Sequence, residues 1–202
     1  LKRLYNNMYK KVSAGVYNYS KLARDMNGEW SMVLINGRDL TVEEVIRVCR
    51  NDEEVKLTGE AEKNVQKARD YIEKKLAEKA VIYGLTTGFG KFSNVVISNE
   101  ETEKLQRNLI ISHTCSMGEA YPREQVRAAM LLRCNALARG NSGIRLSTLK
   151  TLIDMLNRGV HPIVPQKGSL GASGDLAPLS HIALGLIGEG KAEYKGEVIT
   201  AS

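Results

Sequence analysis

Gly168-Ser169-Leu170-Gly171-Ala172-Ser173-Gly174-Asp175-Leu176-Ala177-Pro178-Leu179 runs a glycine-rich turn directly into the start of a helix. Asp175 is a residue type that caps helix N-termini, and Pro178 falls in the first turn, where a missing N–H is tolerated. Leu179, Ile182, Ala183, Leu186 and Ile187 follow at helical spacing, so a helix with one buried face opens after Asp175. Most turns of this kind serve structure alone. The order Ala172-Ser173-Gly174 adds chemistry, because a sharp bend lets the Gly174 amide nitrogen attack the Ala172 carbonyl carbon. Glycine allows such a bend because it has no Cβ.

Loss of water would close a five-membered ring, and dehydration of Ser173 would leave an exocyclic methylidene. The product is a methylidene-imidazolone, an electrophile made from the chain itself. Its place just before a helix N-terminus is favourable, since unpaired N–H groups and the helix dipole stabilise the negative charge that a nucleophile's addition creates.

Upstream, the pattern is mainly helical. Leu146, Leu149, Leu152, Ile153 and Leu156 mark one helix, which Gly159 and Pro162 terminate. From Pro122 to about Arg139 the apolar residues surround the helix almost fully, which places it in the middle of a bundle; Pro122 suits its first turn. Further helices are expected from Glu100 to about Thr114, from Gly59 to Ala80 along Ala61, Val65, Ala68, Ile72 and Leu76, and from a Thr41–Glu44 capping box to about Arg50. Val33 to Leu40 carries an Asn36-Gly37 turn between two short runs, a hairpin signal. Tyr83 to Ser98 breaks the helical period and reads as a long glycine-rich loop. The expected fold is mainly α with small hairpins. Residues 1–32 read as a polar extension and 33–202 as one domain.

Composition is that of an ordinary globular protein, with 43% hydrophobic and 26% charged residues. The formal net charge of +6 comes from residues spread among acids, a solvated-face pattern without a nucleic-acid recognition motif. Cys49, Cys115 and Cys134 are widely spaced and give neither a disulfide framework nor a metal pair. His113, His161 and His181 lack the spacing of a metal site, and His181 reads as a core histidine. With no apolar run of bilayer length and no signal peptide, a cytoplasmic location is expected. The chain opens on Leu1 and closes at Ser202 after a hairpin-like segment, so a piece of a longer protein is expected.

Other glycine-rich chemistry fails on spacing. A P-loop needs glycine where Leu85 stands and Ser or Thr where Phe92 stands. The dinucleotide fingerprint fails at Ser93. Neither Gly171–Asp175 nor Gly140–Ile144 makes the GxSxG elbow of a serine hydrolase.

Gly168–Leu179 resembles the signature of the histidine, phenylalanine and tyrosine ammonia-lyase and aminomutase family. Tyr83-Gly84-Leu85-Thr86-Thr87-Gly88-Phe89-Gly90 is similar to the family's tyrosine loop, and Asn135-Ala136-Leu137-Ala138-Arg139-Gly140-Asn141-Ser142-Gly143 matches a third block. The resemblance covers roughly 33–200 and implies the N-terminal, cofactor-bearing part of the ammonia-lyase fold. It implies that Ala172, Ser173 and Gly174 form the prosthetic group without a metal, that Tyr83 removes a β-proton, and that Gly90 lines the substrate. A phenol serving as base must be acidified by positive potential or hydrogen bonds to its oxygen.

Ser112-His113 resembles the histidine-selective pair that contacts the substrate ring, whereas phenylalanine enzymes carry apolar residues there. The implied reaction converts histidine to urocanate and ammonia. A tyrosine substrate stays open, because an imidazole also hydrogen-bonds a phenol, and so does an aminomutase. Family members are more than twice as long and share active sites across a tetramer. The implied partners are therefore an amino acid and either further copies or a complementary C-terminal part; without them the alternative is an inactive N-terminal domain. A basic helical binding module has only charge in its favour.

Overall fold

The computed structural model describes residues 32–88 and 99–201. The expected extension at 1–32 lies outside these residues except for its last position. Among the described residues the fold is mainly α, with six helices and seven short strands.

Strand β1 (Val33–Ile35) leads into α1 (Val42–Asn51) and then β2 (Val55–Leu57). The expected hairpin at Asn36-Gly37 does not form. Instead β1 pairs in parallel with β2, Val33 opposite Val55 and Ile35 opposite Leu57. The Asn36 side chain turns the chain by accepting from the backbone N–H groups of Arg38 and Asp39 at 2.8 and 3.1 Å. Crossing over through α1 buries Val45, Ile46, Val48 and Cys49, a gain that a local two-strand hairpin would forgo. The Thr41 capping box is present: Thr41 N–H donates to Glu44 Oε2 at 2.7 Å, and Glu44 N–H donates to Thr41 Oγ1 at 3.2 Å.

Helix α2 (Gly59–Ala77) starts under a Thr58 cap and stops short of the expected Ala80, where Lys79 turns left-handed at φ 55°. Helix α3 (Asn99–His113) precedes β3 (Met117–Ala120), and α4 (Arg123–Ala138) follows. Pro122 sits at the N-cap of α4, one residue before the expected first turn. Helix α5 (Leu146–Asn157), β4 (Val160–Pro162) and β5 (Pro165–Lys167) come next, then α6 (Leu176–Leu186), β6 (Lys191–Tyr194) and β7 (Glu197–Thr200). β6 and β7 form a hairpin whose turn residues, Lys195 and Gly196, both have positive φ, as a two-residue I′ turn requires.

Helix α4 is the axis of the core, as its all-round apolar sequence predicts. Met130, Leu131 and Cys134 are fully buried and share one core cluster with Val48 of α1, Val65 of α2 and Leu149 and Leu156 of α5. Burial pushes the thiols of Cys49 and Cys134 up to about 12, so both are inert apolar filling. Gly140 ends α4 against α2; a Cβ there would lie 2.6 Å from the Asn64 carbonyl, so only glycine permits this approach.

One buried side chain in α4 is charged. Arg127 is 1% exposed, and each of its three nitrogens donates a hydrogen bond. Nε and Nη2 donate to the Val48 carbonyl at 3.1 and 2.7 Å. Nη1 donates to the Leu156 carbonyl at 2.9 Å and to His161 Nε2 at 2.8 Å. Nη2 also reaches Asp52 Oδ1 at 3.1 Å. Val48 and Leu156 lie in the last turns of α1 and α5, whose carbonyls have no partner inside the helix. One guanidinium thus ties two helix C-termini together at their negative ends.

His161 is equally buried. Because Nε2 accepts from Arg127, the neutral ring carries its proton on Nδ1, which lies 4.0 Å from the Glu193 carboxylate without a hydrogen bond. Burial, aided by Arg127 and Arg123 and opposed by Asp52, pushes its pKa down from 6.5 to about 4. The unfolded chain therefore takes up this proton at higher pH than the folded one. Acidification through that interval should favour unfolding by up to about 1.4 kcal/mol per pH unit. Urea melts of the chain and of His161→Gln across the same range should show a shallower loss in the variant. Parallel losses would assign the acid sensitivity elsewhere.

Candidate active site

The site begins where β5 ends. Gly168 has φ +148°, and a Cβ on it would lie 2.7 Å from Ser116 Cα, so the loop is rooted against the segment entering β3. β3 and β5 pair antiparallel, Met117 opposite Lys167. Gly171 and Gly174 have φ +104° and +73° with open space around them. Their backbone, not their lack of bulk, is what glycine supplies here. The chain therefore turns sharply three times in seven residues and presents Ala172 and Ser173 to solvent, with Gly174 half-buried.

Two side chains brace this loop. The Ser169 hydroxyl donates to the Gly174 carbonyl, and the Ser173 hydroxyl donates to Asp175 Oδ1. Asp175 stands at the N-cap of α6 as expected, but its carboxylate makes no capping hydrogen bond; it is engaged by Ser173 instead. Pro178 falls in the first turn of α6. Behind the loop, a cavity of about 120 Å³ lies between α4 and α6, lined mainly by apolar groups, with Tyr121, Gln125, Ser169, Gly174 and Asp175 among its walls.

Helix α3 links this loop to the other candidate residues. It packs on α6. Arg107 pairs with Glu189 beyond the far end of α6 at 2.6 Å, while Ser116 meets Gly168 at the near end. The chain from Arg107 to Ser116 thus runs antiparallel to α6, carrying Ser112 and His113 towards the loop. His113 Nδ1 lies 2.9 Å from the Leu109 carbonyl and 3.0 Å from Ser112 Oγ, which itself donates to the same carbonyl at 2.8 Å. A carbonyl only accepts, so the neutral His113 ring carries its proton on Nδ1 and leaves Nε2 as an acceptor.

Tyr83 lies on a turn held by two buried threonines. Thr86 Oγ1 accepts from Ile82 N–H at 2.8 Å and donates to the Ala80 carbonyl at 3.1 Å. Thr87 Oγ1 accepts from Gly84 N–H at 3.2 Å and donates to the Gly88 carbonyl at 3.0 Å. The turn leans on α3 through Gln106, whose side-chain amide donates to the Gly84 carbonyl at 3.4 Å. Tyr83 itself is 65% exposed. Gly90 lies outside the described residues.

Helix α3 is thus the shared support of the Tyr83 turn, the Ser112-His113 pair and the helix behind Ala172–Gly174. His181 is half-buried, with Nε2 enclosed and without a hydrogen bond, and burial lowers its pKa. Sequence reasoning did not mark Ser169 or the two threonines as braces. A hydroxyl five residues from a carbonyl it reaches across a bend leaves no periodic trace. Leu170, at 95% exposure, and Met117, at 70%, leave apolar surface around the loop. Among the described residues, no group of His, Cys, Asp and Glu could hold a metal ion, and no helix is long and apolar enough to cross a membrane.

A family model described as aromatic amino acid lyase matches residues 40–202. Histidine ammonia-lyase of Alkaliphilus oremlandii is 58% identical over 165 residues, which are 82% of this chain and 32% of that protein. Among solved structures, phenylalanine aminomutase of Pantoea agglomerans superposes with a TM-score of 0.79 at 37% identity, covering 85% of this chain and 33% of that one. Histidine ammonia-lyase of Trypanosoma cruzi does so with 0.76 at 34% identity, covering 85% and 33%. The chain spans about a third of the length of the relatives it matches.

Proposed function

The chain belongs to the aromatic amino acid lyase family, and we propose that it is the electrophile-bearing part of a histidine ammonia-lyase, converting L-histidine to urocanate and ammonia. The observation that carries the reading is the loop at the head of α6. Three left-handed glycines hold Ala172 and Ser173 out on a bend, and the Ser173 hydroxyl already engages a carboxylate. These residues fit a methylidene-imidazolone formed from Ala172-Ser173-Gly174. When formed, that group supplies an electrophile that takes the substrate amino group and makes it a leaving group.

The protein's own residues supply position and proton transfer. Tyr83, exposed on its threonine-braced turn, removes the β-proton. His113 accepts an N–H of the substrate imidazole at Nε2, with Ser112 fixing the same carbonyl anchor. Gly90 lines the substrate with its backbone. No metal takes part, the location is cytoplasmic, and residues 33–202 form one cofactor-bearing domain. The high sequence identity to histidine ammonia-lyases favours a lyase acting on histidine over a tyrosine lyase or an aminomutase.

A second reading follows from Leu170 and Met117, since exposed apolar groups ring the reactive loop. On this reading the chain alone is inactive and requires either further copies, as in a tetramer, or the remaining two-thirds of a lyase. Ammonia release should be assayed with the chain alone and with a C-terminal portion of a relative added. The complemented chain is expected to prefer histidine over tyrosine and phenylalanine. His113→Leu should move that preference towards phenylalanine by about tenfold or more, the effect of one buried polar contact. An unchanged preference would place the ring contact elsewhere.

A further inference from the structure

We propose that Ser169 is a positioning residue for ring closure, a role that rests on the self-formed electrophile described above. Its hydroxyl donates to the Gly174 carbonyl, tying together the two ends of the loop that contains Ala172 and Ser173. Ser169 is itself half-buried, on the cavity wall with Gly174 and Asp175, and its chain neighbour Gly168 abuts Ser116. The anchor point is therefore rooted in the β3–β5 pair rather than loose in solvent.

The chemistry shows what this tie does. Ring closure forms a bond between the Gly174 nitrogen and the Ala172 carbonyl carbon. The Ala172 oxygen leaves as water with the amide hydrogens of Gly174 and Ser173, and a double bond forms between the Ala172 carbon and the Ser173 nitrogen. A second water leaves with the Ser173 hydroxyl and its Cα hydrogen, giving the methylidene. No oxidant or co-reactant is needed. The first step requires the Gly174 nitrogen to stay close to Ala172, yet glycine at φ +73° in open space has little to hold it. Fixing the Gly174 carbonyl removes the rotation by which that residue would swing away, and holding reacting groups in place is where intramolecular reactions gain their rate. Asp175, by contrast, engages the Ser173 hydroxyl, which leaves in the second step. The two braces thus serve different steps.

The test is the intact mass of the full chain, purified and denatured, for the natural sequence, Ser169→Ala and Ser169→Thr, with far-ultraviolet circular dichroism of each. The natural chain should lack two waters. Ser169→Ala should fold with the same helix content but cyclise roughly tenfold more slowly after synthesis, the loss expected for one positioning hydrogen bond. Ser169→Thr, which keeps the hydroxyl, should recover the natural rate. A Ser169→Ala chain that loses both waters as fast as the natural one overturns the role of Ser169 alone, as would a Ser169→Thr chain that folds but cyclises no faster than Ser169→Ala. An unmodified natural chain overturns both this role and the electrophile it serves.

Discussion

Arg127→Ala is expected to destabilise the chain by about 3–5 kcal/mol, the usual cost of removing one partner from a buried charged network. The loss has separable parts. The Val48 carbonyl loses two donors, and a buried orphaned group costs about 1–3 kcal/mol. The Leu156 carbonyl loses one donor but keeps the Gly159 N–H at 3.3 Å. His161 Nε2 loses its donor as well. Domains are stable by only about 5–15 kcal/mol, so the variant should melt far earlier or fail to fold. Arg127→Met keeps most of the volume and removes the donors. If urea denaturation finds Arg127→Met within about 1 kcal/mol of the natural chain, the guanidinium is packing bulk, and its bonds to the two helix ends carry little net stability.

Ser173→Ala is expected to abolish the electrophile without harming the fold. Alanine has no hydroxyl to lose, so the variant can shed one water at most. Ser173 is exposed, and its removal should leave stability within about 0.5 kcal/mol. Turnover by the complemented chain should fall on the order of 10³-fold or more, as when a covalent catalyst loses its reacting group. Asp175→Asn should leave ring closure possible while slowing the second dehydration, because Ser173 would lose its charged partner. Comparable ammonia release from Ser173→Ala and the natural chain would remove the triad from the chemistry.

The helical frame was legible because its signals are local. The Thr41 box, the α4 and α5 stripes, and the glycine-rich entry to α6 all lie within a few residues of what they determine. The β1–β2 pairing was not legible. Asn36-Gly37 carries a strong hairpin signal, and only the apolar face of α1 overrides it through contacts distant in sequence. The burial of Arg127 is also hard to read, since charged helix residues usually face water. Its signal was present nevertheless: a helix apolar on most faces leaves a charge little choice but the core. Asp175 was placed correctly as an N-cap residue, but its preference for the Ser173 hydroxyl over the helix end depends on a bend that spacing does not encode. The roles proposed for Tyr83, Ser112 and His113 rest on resemblance, whereas the support of all three by α3 emerges only in three dimensions.

Whether Ala172-Ser173-Gly174 becomes an electrophile is decided by the intact mass of the denatured 202-residue chain. A mass two waters below that of the written sequence is expected, with the loss mapped by peptide fragmentation to residues 172–174. A mass equal to that of the written sequence would contradict it.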